Sequence, residues 1–574
     1  MISYRVRPVD LHAHQFEVTL TVPAPAAEQV LSLPVWIPGS YMVREFARHL
    51  SQLTARQGGQ PVALEQIDKT TWLARCSGRS PLVVSCRVYA FDNSVRTAWL
   101  DAQRGFFNGT SLCLRVHGRE EQPHRLQLAG LPRGWAVATA MASVDGKALT
   151  FECADYDELI DHPVELGAFW RGDFAVRGVP HAFVVAGAWP GLDGERLLSD
   201  AKKICEAQMA FWHGRGKPPF ERYVFMLNAV DEGYGGLEHR ASTALIASRR
   251  DLPRTTPGWQ PGDGYITLLG LISHEYFHTW NVKRLKPSEF APYDLTRENH
   301  TRLLWFFEGF TSYYDDLLLR RAGLIDDNRY LQLLAKTASQ VWATPGRRVQ
   351  SVAEASFDAW TKYYRQDENT ANATVSYYTK GALVALCFDL TLRAAGGSLD
   401  GAMRRLWALR RPITEADVRA AFAAEAGRPL DEEFAAWVHG RGELPLDQLL
   451  ARVGVSWQVQ KATTGQALGA RLGESGGQLK VQAVMRGSVA ERTGLAAGDE
   501  LIAIDGWRVR KADDVGLFWQ AGRACAWLVS RDQLLLTLHS PADAPAGAGA
   551  INLSWQADAD DDRRAAARTW LDGR

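Results

Sequence analysis

Neither sign of charge is in excess: Lys and Arg together number 65, and so do Asp and Glu. A chain without net charge lacks the long-range attraction that gathers polyanions or anionic lipid, so neither nucleic acid nor a membrane is expected as a partner. Cysteine is sparse. Cys76, Cys86, Cys113, Cys153, Cys205, Cys387 and Cys525 are scattered without a Cys-x-x-Cys pair, which excludes a disulfide framework and a cysteine-built zinc site. They are expected to be buried reduced thiols. No run approaches the roughly eighteen apolar residues of a membrane span. The start, MISYRVRPVD, has no basic segment leading into an apolar run with a small-residue cleavage site, and a cytoplasmic location is the expectation.

What is present is the usage of an ordinary globular protein, 46% hydrophobic and 23% charged, which excludes wholesale disorder. The 574 residues are too many for one core, and about 150 residues per domain suggests three or four units. Twenty tryptophans are many, but they suit cores as well as peptide-binding clefts, and no site is read from them.

Residues 1–172 carry short alternating segments, FEVTLTV, TTWLARC, LVVSCRVYAF and TSLCLRV, between Gly, Pro, Asn and Asp, the pattern of an antiparallel β domain. Residues 173–443 open with mixed α/β character, including helical LDGERLLSDAKKICEAQMAFWHGRGK and strand YVFMLNAV. Helices then dominate, among them ITLLGLISHEYFHTW, TRLLWFFEGFTSYYDDLLLRRAG and KGALVALCFDLTLRAAG. Thr414 and Asp431 are read as helix N-caps. Short strands return in 444–550, and 551–574 reads as a poorly packed tail or a terminal helix. The fold class is therefore multidomain α+β.

His274 and His278 in SHEYFHTW stand at i and i+4, on one face of a helix, and together can grip one zinc. The apolar ITLLGLIS before them buries that helix, and a Glu beside the metal, Glu275, suits a general base acting on its water. A catalytic zinc wants three protein ligands and an open position. Glu298 and Glu308 compete for the third place. Glu308 lies amid Trp305, Phe306, Phe307 and Phe310, where a buried carboxylate needs a metal or charge partner. It is preferred over Glu298, which reads as solvated. In GYGGLEHR, Glu238 follows a Gly-rich turn, with Gly235 and Gly236, placed to hold the free α-ammonium of a peptide laid along a strand edge. Tyr377 and Tyr378 begin an apolar helix from which a phenol can donate to a developing oxyanion.

Four segments together, HEYFHTWN, WFFEGF, GGLEH and YTKG, resemble the glycyl aminopeptidase family of gluzincin zinc metallopeptidases, relatives of aminopeptidase N. The resemblance implies a thermolysin-like, mostly helical zinc peptidase domain. It also implies one zinc per chain on His274, His278 and Glu308, Glu275 as base, Tyr378 at the oxyanion and Glu238 at the substrate amino terminus. Peptides with a free amino terminus are the implied substrates, with Gly and Ala favoured as first residue. The twenty-nine residues between His278 and Glu308 exceed the spacing of aminopeptidase N and favour the glycyl branch. VWIPGSYMVREFARH resembles the family's amino-terminal β domain, and its WIPGSYM, like FFNGTSL, is a candidate loop facing the first side chain. LGARL, GSVAERTGLAAGD and ELIAIDG resemble a bacterial PDZ domain, whose carboxylate loop would hold Gly469 and Ala470 and receive a peptide carboxyl terminus. Two other functions are weighed: a gluzincin endopeptidase that selects carboxyl termini with its PDZ unit, and a peptide-binding scaffold without catalysis.

Overall fold

The alternation in FEVTLTV and LVVSCRVY is realised residue by residue: every second side chain of strands Gln15–Val22 and Leu82–Tyr89 is buried, so each strand gives one face to a core. These two pair antiparallel in register Phe16↔Val88 within an eight-stranded sheet. That sheet is not purely antiparallel, because Ile2–Asp10 pairs parallel with His124–Leu128. TSLCLRV is a strand only at its end, where Arg115 and Val116 pair with Ser32 and Leu31. Gly109–Leu112 is a helical turn, held where Asn108 donates from its side-chain amide to the carbonyls of Val95 and Thr97. The computed structural model describes residues 1–573. They fall into one unit of residues 1–299 with 322–324 and another of 300–321 with 325–573.

The first unit also holds a five-stranded sheet built from β1 (Trp170–Val176), β2 (Val179–Ala186), β3 (Tyr223–Val230), β4 (Tyr234–Glu238) and β5 (Ser242–Ser248), in spatial order β1-β2-β3-β5-β4. β2, β3 and β5 run parallel, and all but the last residue of β3 are buried, as suits a central strand covered on both faces. β4 runs antiparallel to β5 and is an edge of the sheet. The crossover between β2 and β3 is α1 (Gly194–His213), as its helical spacing predicts. α2 (Asp263–Phe277) is apolar nearly all round and almost wholly buried, the signature of an interior helix. Gln208 of α1 donates to the carbonyl and hydroxyl of Ser273 in α2 at 2.7 and 3.0 Å.

The second unit is helical and then β-rich. Glu308 was expected inside a continuous helix; it stands instead at a break between α3 (Leu304–Phe307) and α4 (Gly309–Arg321). There the chain crosses α5 (Thr379–Ala394) main chain to main chain. A Cβ at Gly309 would lie 2.5 Å from the Gly381 Cα, and one at Gly381 would lie 2.7 Å from the Trp305 carbonyl. Thr414 caps its helix through a capping box with Asp417. Asp431 does not cap; it is the first residue of a three-residue helix whose N-cap is Leu430.

A six-stranded sheet follows, beginning with β6 (Ala470–Ser475) and including Cys525–Arg531, a strand not expected from the sequence. Residues 551–573 are packed structure. Ile551–Trp555 pairs with Val455–Val459, and α6 (Asp561–Asp572) buries Trp570. The indole N–H of Trp570 donates to the Tyr313 hydroxyl at 2.8 Å, which donates to Asp389 at 2.7 Å. Arg320 pairs with Asp572, and Arg321 donates to the Leu571 carbonyl. The seven cysteines are free thiols, six of them buried, and burial pushes the Cys86 thiol up to about 12. Among the described residues no single helix is long and apolar enough to cross a membrane.

Gly381→Ala forces two backbones apart and is expected to cost about 1–3 kcal/mol, read as a lower thermal midpoint; an unchanged midpoint would show that the crossing has slack.

Candidate metal centre and active site

α2 delivers His274, Glu275 and His278 at its last turn. The Nε2 atoms of His274 and His278 lie 3.0 Å apart, with the rings edge to face. His278 Nδ1 is 2.8 Å from the Asn281 carbonyl. A carbonyl can only accept, so Nδ1 carries the hydrogen and Nε2 keeps its lone pair, the arrangement that orients a metal-binding imidazole. The turn supplying that carbonyl is fixed by Trp280, which is buried, stacks on Trp212, and donates its indole N–H to His213 Nε2 at 2.7 Å. The Trp-Asn pair after the histidines is thereby explained, since Trp280 anchors the turn and Asn281 sets the tautomer of His278.

Glu275 meets the edge strand. A Cβ at Gly236 would fall 2.5 Å from Cγ of Glu275, so only glycine lets β4 pass this close. Glu238 ends β4 and is buried. Gly39, at φ +100°, packs on it, where a Cβ would lie 2.6 Å from Oε2. WIPGSYM therefore does face the Glu238 carboxylate. Gly235 and Gly236 were expected in a turn; both lie instead within the edge strand, and Arg96 donates to the Gly236 carbonyl at 3.3 Å. Sequence reasoning missed Gly39 and Arg96 as site neighbours. The Pro-Gly in WIPGSYM was the only local signal.

Also missed was the buried knot behind Glu238. Asp161 accepts from Lys283 Nζ at 2.7 Å, from Arg240 Nε at 2.7 Å and from the Arg240 amide at 3.0 Å, with His239 Nδ1 3.3 Å away. Burial opposes the charge on Asp161, but Lys283 and Arg240 outweigh it and hold the carboxyl well below its ordinary range. Burial takes His239 down to about 4, so it is neutral near pH 7. Lys283 donates its amide to the His278 carbonyl; one carboxylate therefore ties the chain after α2 to the residues after β4.

In the second unit Glu308 is 2% exposed and adjoins a tyrosine cluster. Tyr378 stacks on Tyr363 and Tyr377, and its hydroxyl lies 3.4 Å from that of Tyr364. Tyr377 is fully buried and Tyr378 only partly. Burial, then the Glu308 charge, raises the Tyr378 pKa well above its usual value; the phenol keeps its proton. Lys380, two residues on, donates to the Arg347 carbonyl at 3.0 Å and is lowered to about 8 by burial. His274 and His278 of the first unit and Glu308 of the second are the residues that could hold a metal ion. Two imidazoles and a carboxylate, with His278 already in the required tautomer, fit a zinc ion's donor preferences. Glu298, in the irregular stretch before α3, is not part of this group.

Farther along the second unit, Gly469 closes a short helix at φ +71°, and its carbonyl accepts from the Met485 amide. Ala470 opens β6, an edge strand of its sheet. Both line a cavity of about 870 Å³ with Arg471 and Arg486. Nearby, Asn372 donates to the Val484 carbonyl and accepts from the Arg486 amide, both at 2.8 Å.

Three family models match: the Peptidase M61 N-terminal domain over residues 3–168, M61 glycyl aminopeptidase over 267–384, and the PDZ domain over 456–515. A solved structure of an aminopeptidase N family protein from Idiomarina loihiensis is 37% identical, covers 100% of both chains, and superposes with a TM-score of 0.92. The chain belongs to the M61 glycyl aminopeptidase family. It is thereby a metallopeptidase of aminopeptidase type with a PDZ domain. No curated protein matches. Weaker likenesses are an M1 zinc metallopeptidase from Deinococcus radiodurans, 15% identical over 78% of this chain and 94% of that one with a TM-score of 0.47, and Legionella pneumophila aminopeptidase A, 11% identical over 76% and 49% with a TM-score of 0.48.

Asp161→Asn strands Lys283 in the interior, and in this family member the loss is expected to be about 3–5 kcal/mol near neutrality. Because the folded pKa of Asp161 is depressed, its contribution is complete above the unfolded value of about 4 and fades as pH falls below it. Thermal midpoints of wild type and variant should converge only there; a gap that is constant down to pH 3 would rule out the charge as its origin.

Proposed function

We propose that this glycyl aminopeptidase family member removes one residue from the free amino terminus of peptides, with zinc on His274, His278 and Glu308. The observation that carries the reading is the seating of two carboxylates on one edge strand, Glu275 against Gly236 and Glu238 at the strand's end. A peptide added along β4 would bring its first peptide bond to Glu275 while its ammonium pairs with Glu238. Gly39, pressed on Glu238, closes the strand's end and supports exopeptidase over endopeptidase cleavage. We assign a preference for small first residues, Gly and Ala; the family description supports Gly alone.

Zinc, when bound, supplies a Lewis acid for the scissile carbonyl and lowers the pKa of its water toward about 7. Glu275 takes the proton from the attacking water and returns it to the departing amine. Tyr378, kept protonated by burial and by Glu308, donates to the oxygen on which charge develops. Glu238 fixes the register, so that the first bond and no other is presented. We assign the β domain to 1–172, the peptidase domain to 173–443, the PDZ-like domain to 444–550 and the terminal strand and helix to 551–574. A peptide carboxylate is the ligand we assign to the loop at Gly469 and Ala470.

Glu275→Gln should retain its metal, measured by elemental analysis, while kcat falls by about 10²–10⁴; full turnover with full metal would defeat the base assignment. Tyr378→Phe should lower kcat by about 10²–10³ with little change in KM. Glu238→Ala should impair peptides with a free amine far more than their acetylated counterparts, and equal losses would point to an endopeptidase. Glu308→Ala should lose the metal itself.

A further inference from the structure

A cleft of about 1000 Å³ in the first unit is used by no step above. It opens at the carboxyl ends of the parallel strands: its lining includes Val185 to Gly187 at the end of β2, Asn228 to Val230 at the end of β3, and Arg249 after β5. Crevices outside the carboxyl ends of parallel strands are where open α/β sheets bind ligands. Four tryptophans, Trp99, Trp135, Trp170 and Trp189, line it, and none of them is buried. Trp189 is 39% exposed yet held: its indole N–H donates to the Arg249 carbonyl at 2.6 Å, and the guanidiniums of Arg249 and Arg254 lie 5.8 and 5.1 Å from its ring. An exposed indole fixed in advance binds a partner without first losing freedom.

The position of the cleft identifies what fills it. β4 is antiparallel to β5, pairing Tyr234 with Ala247 and Glu238 with Thr243. A peptide whose amino terminus sits at Glu238 and which follows the β4 edge must therefore run toward Tyr234, which is 64% exposed. That is the end of the sheet at which the cleft opens. One loop spans the two places: Arg96 donates to the Gly236 carbonyl, and Asn93, on the cleft wall, accepts from the Asn228 amide at 2.7 Å. Five residues along β4 cover about 17 Å, and the cleft begins about two strand spacings, roughly 10 Å, farther on.

We propose that the tryptophan-lined cleft is a second substrate subsite, which holds an extended peptide from about its eighth residue onward and favours aromatic, proline or long aliphatic side chains there. Indole faces supply apolar stacking, and Asn93 and Asn228 supply amides for the peptide backbone. The inference rests on the aminopeptidase reading and deepens it: the enzyme favours peptides of eight residues or more over di- and tripeptides.

The test uses the full zinc-loaded chain and two peptides with the same first three residues, a tripeptide and a decapeptide with Trp or Phe at positions seven to nine. In the wild type kcat/KM for the decapeptide should exceed that for the tripeptide by about tenfold, one good aromatic contact. Trp189→Ser and Trp135→Ala should erase that advantage through KM and leave the tripeptide unchanged. A fluorescent decapeptide should also bind Glu275→Gln protein about tenfold more tightly than the same protein carrying Trp189→Ser. No length advantage in the wild type, or equal losses for both peptides in variants with wild-type thermal midpoints, overturns the subsite. Cleavage of neither peptide by the zinc-loaded wild type refutes the aminopeptidase reading itself, a result distinguishable from failure of the subsite alone.

Discussion

The distance between a helix-borne carboxylate and a peptide-binding strand is limited by whatever side chain the strand turns toward the helix. At Gly236 that side chain is absent, and Glu275 comes within reach of bare main chain. Everything else in the first unit serves to hold that approach. Gln208 fixes α2 from α1, Trp280 and Asn281 lock the turn that orients His278, and Asp161 fastens the residues after β4 to those after α2. With a larger residue at Gly236 the strand would have to retreat, and Glu275 would lose that approach.

The second unit solves a like problem by the same device. Glu308 and Tyr378 belong to helices that cross at Gly309 and Gly381 without a Cβ on either side. The glycines in the WFFEG and YTKG segments are thus two halves of one contact. Burial first, and then the Glu308 charge that this closeness brings near, keep the Tyr378 phenol protonated. In both units the charged groups are buried, costly to desolvate, and retained where packing leaves them a partner.

How much of this was legible in the sequence follows from the range of the interactions. His274 and His278 are four residues apart on one helix and declare themselves locally. Glu308 declared itself by the cost of burying it among aromatics. The choice between Tyr377 and Tyr378 needed the family resemblance, since helical phase before an N-terminus is undefined; in the fold Tyr377 is the more deeply buried of the two. Asp161 was illegible, because it acts on partners 78 to 122 positions away and nothing in its own neighbourhood marks it. Gly39 and Arg96 were hidden for the same reason. The break at Glu308 eluded the periodicity because the apolar residues continue through it; only the crossing chain interrupts the helix. TSLCLRV misled because alternation over seven residues does not register a side chain, Asn108, that bonds the preceding backbone.

Trp570 reaches back 257 positions to Tyr313, and Leu571 and Asp572 receive the two arginines at the rear of α4. Glu308 stands at the front of that same helix. During synthesis on the ribosome, α4 emerges long before its fastening does, and the entire PDZ region is translated in between. The polar chain from Trp570 through Tyr313 to Asp389 cannot close until α6 has been made. The core around α4 is therefore completed only after the PDZ region has been translated, and a nascent chain stalled anywhere before α6 carries α4 without the fastening at its rear.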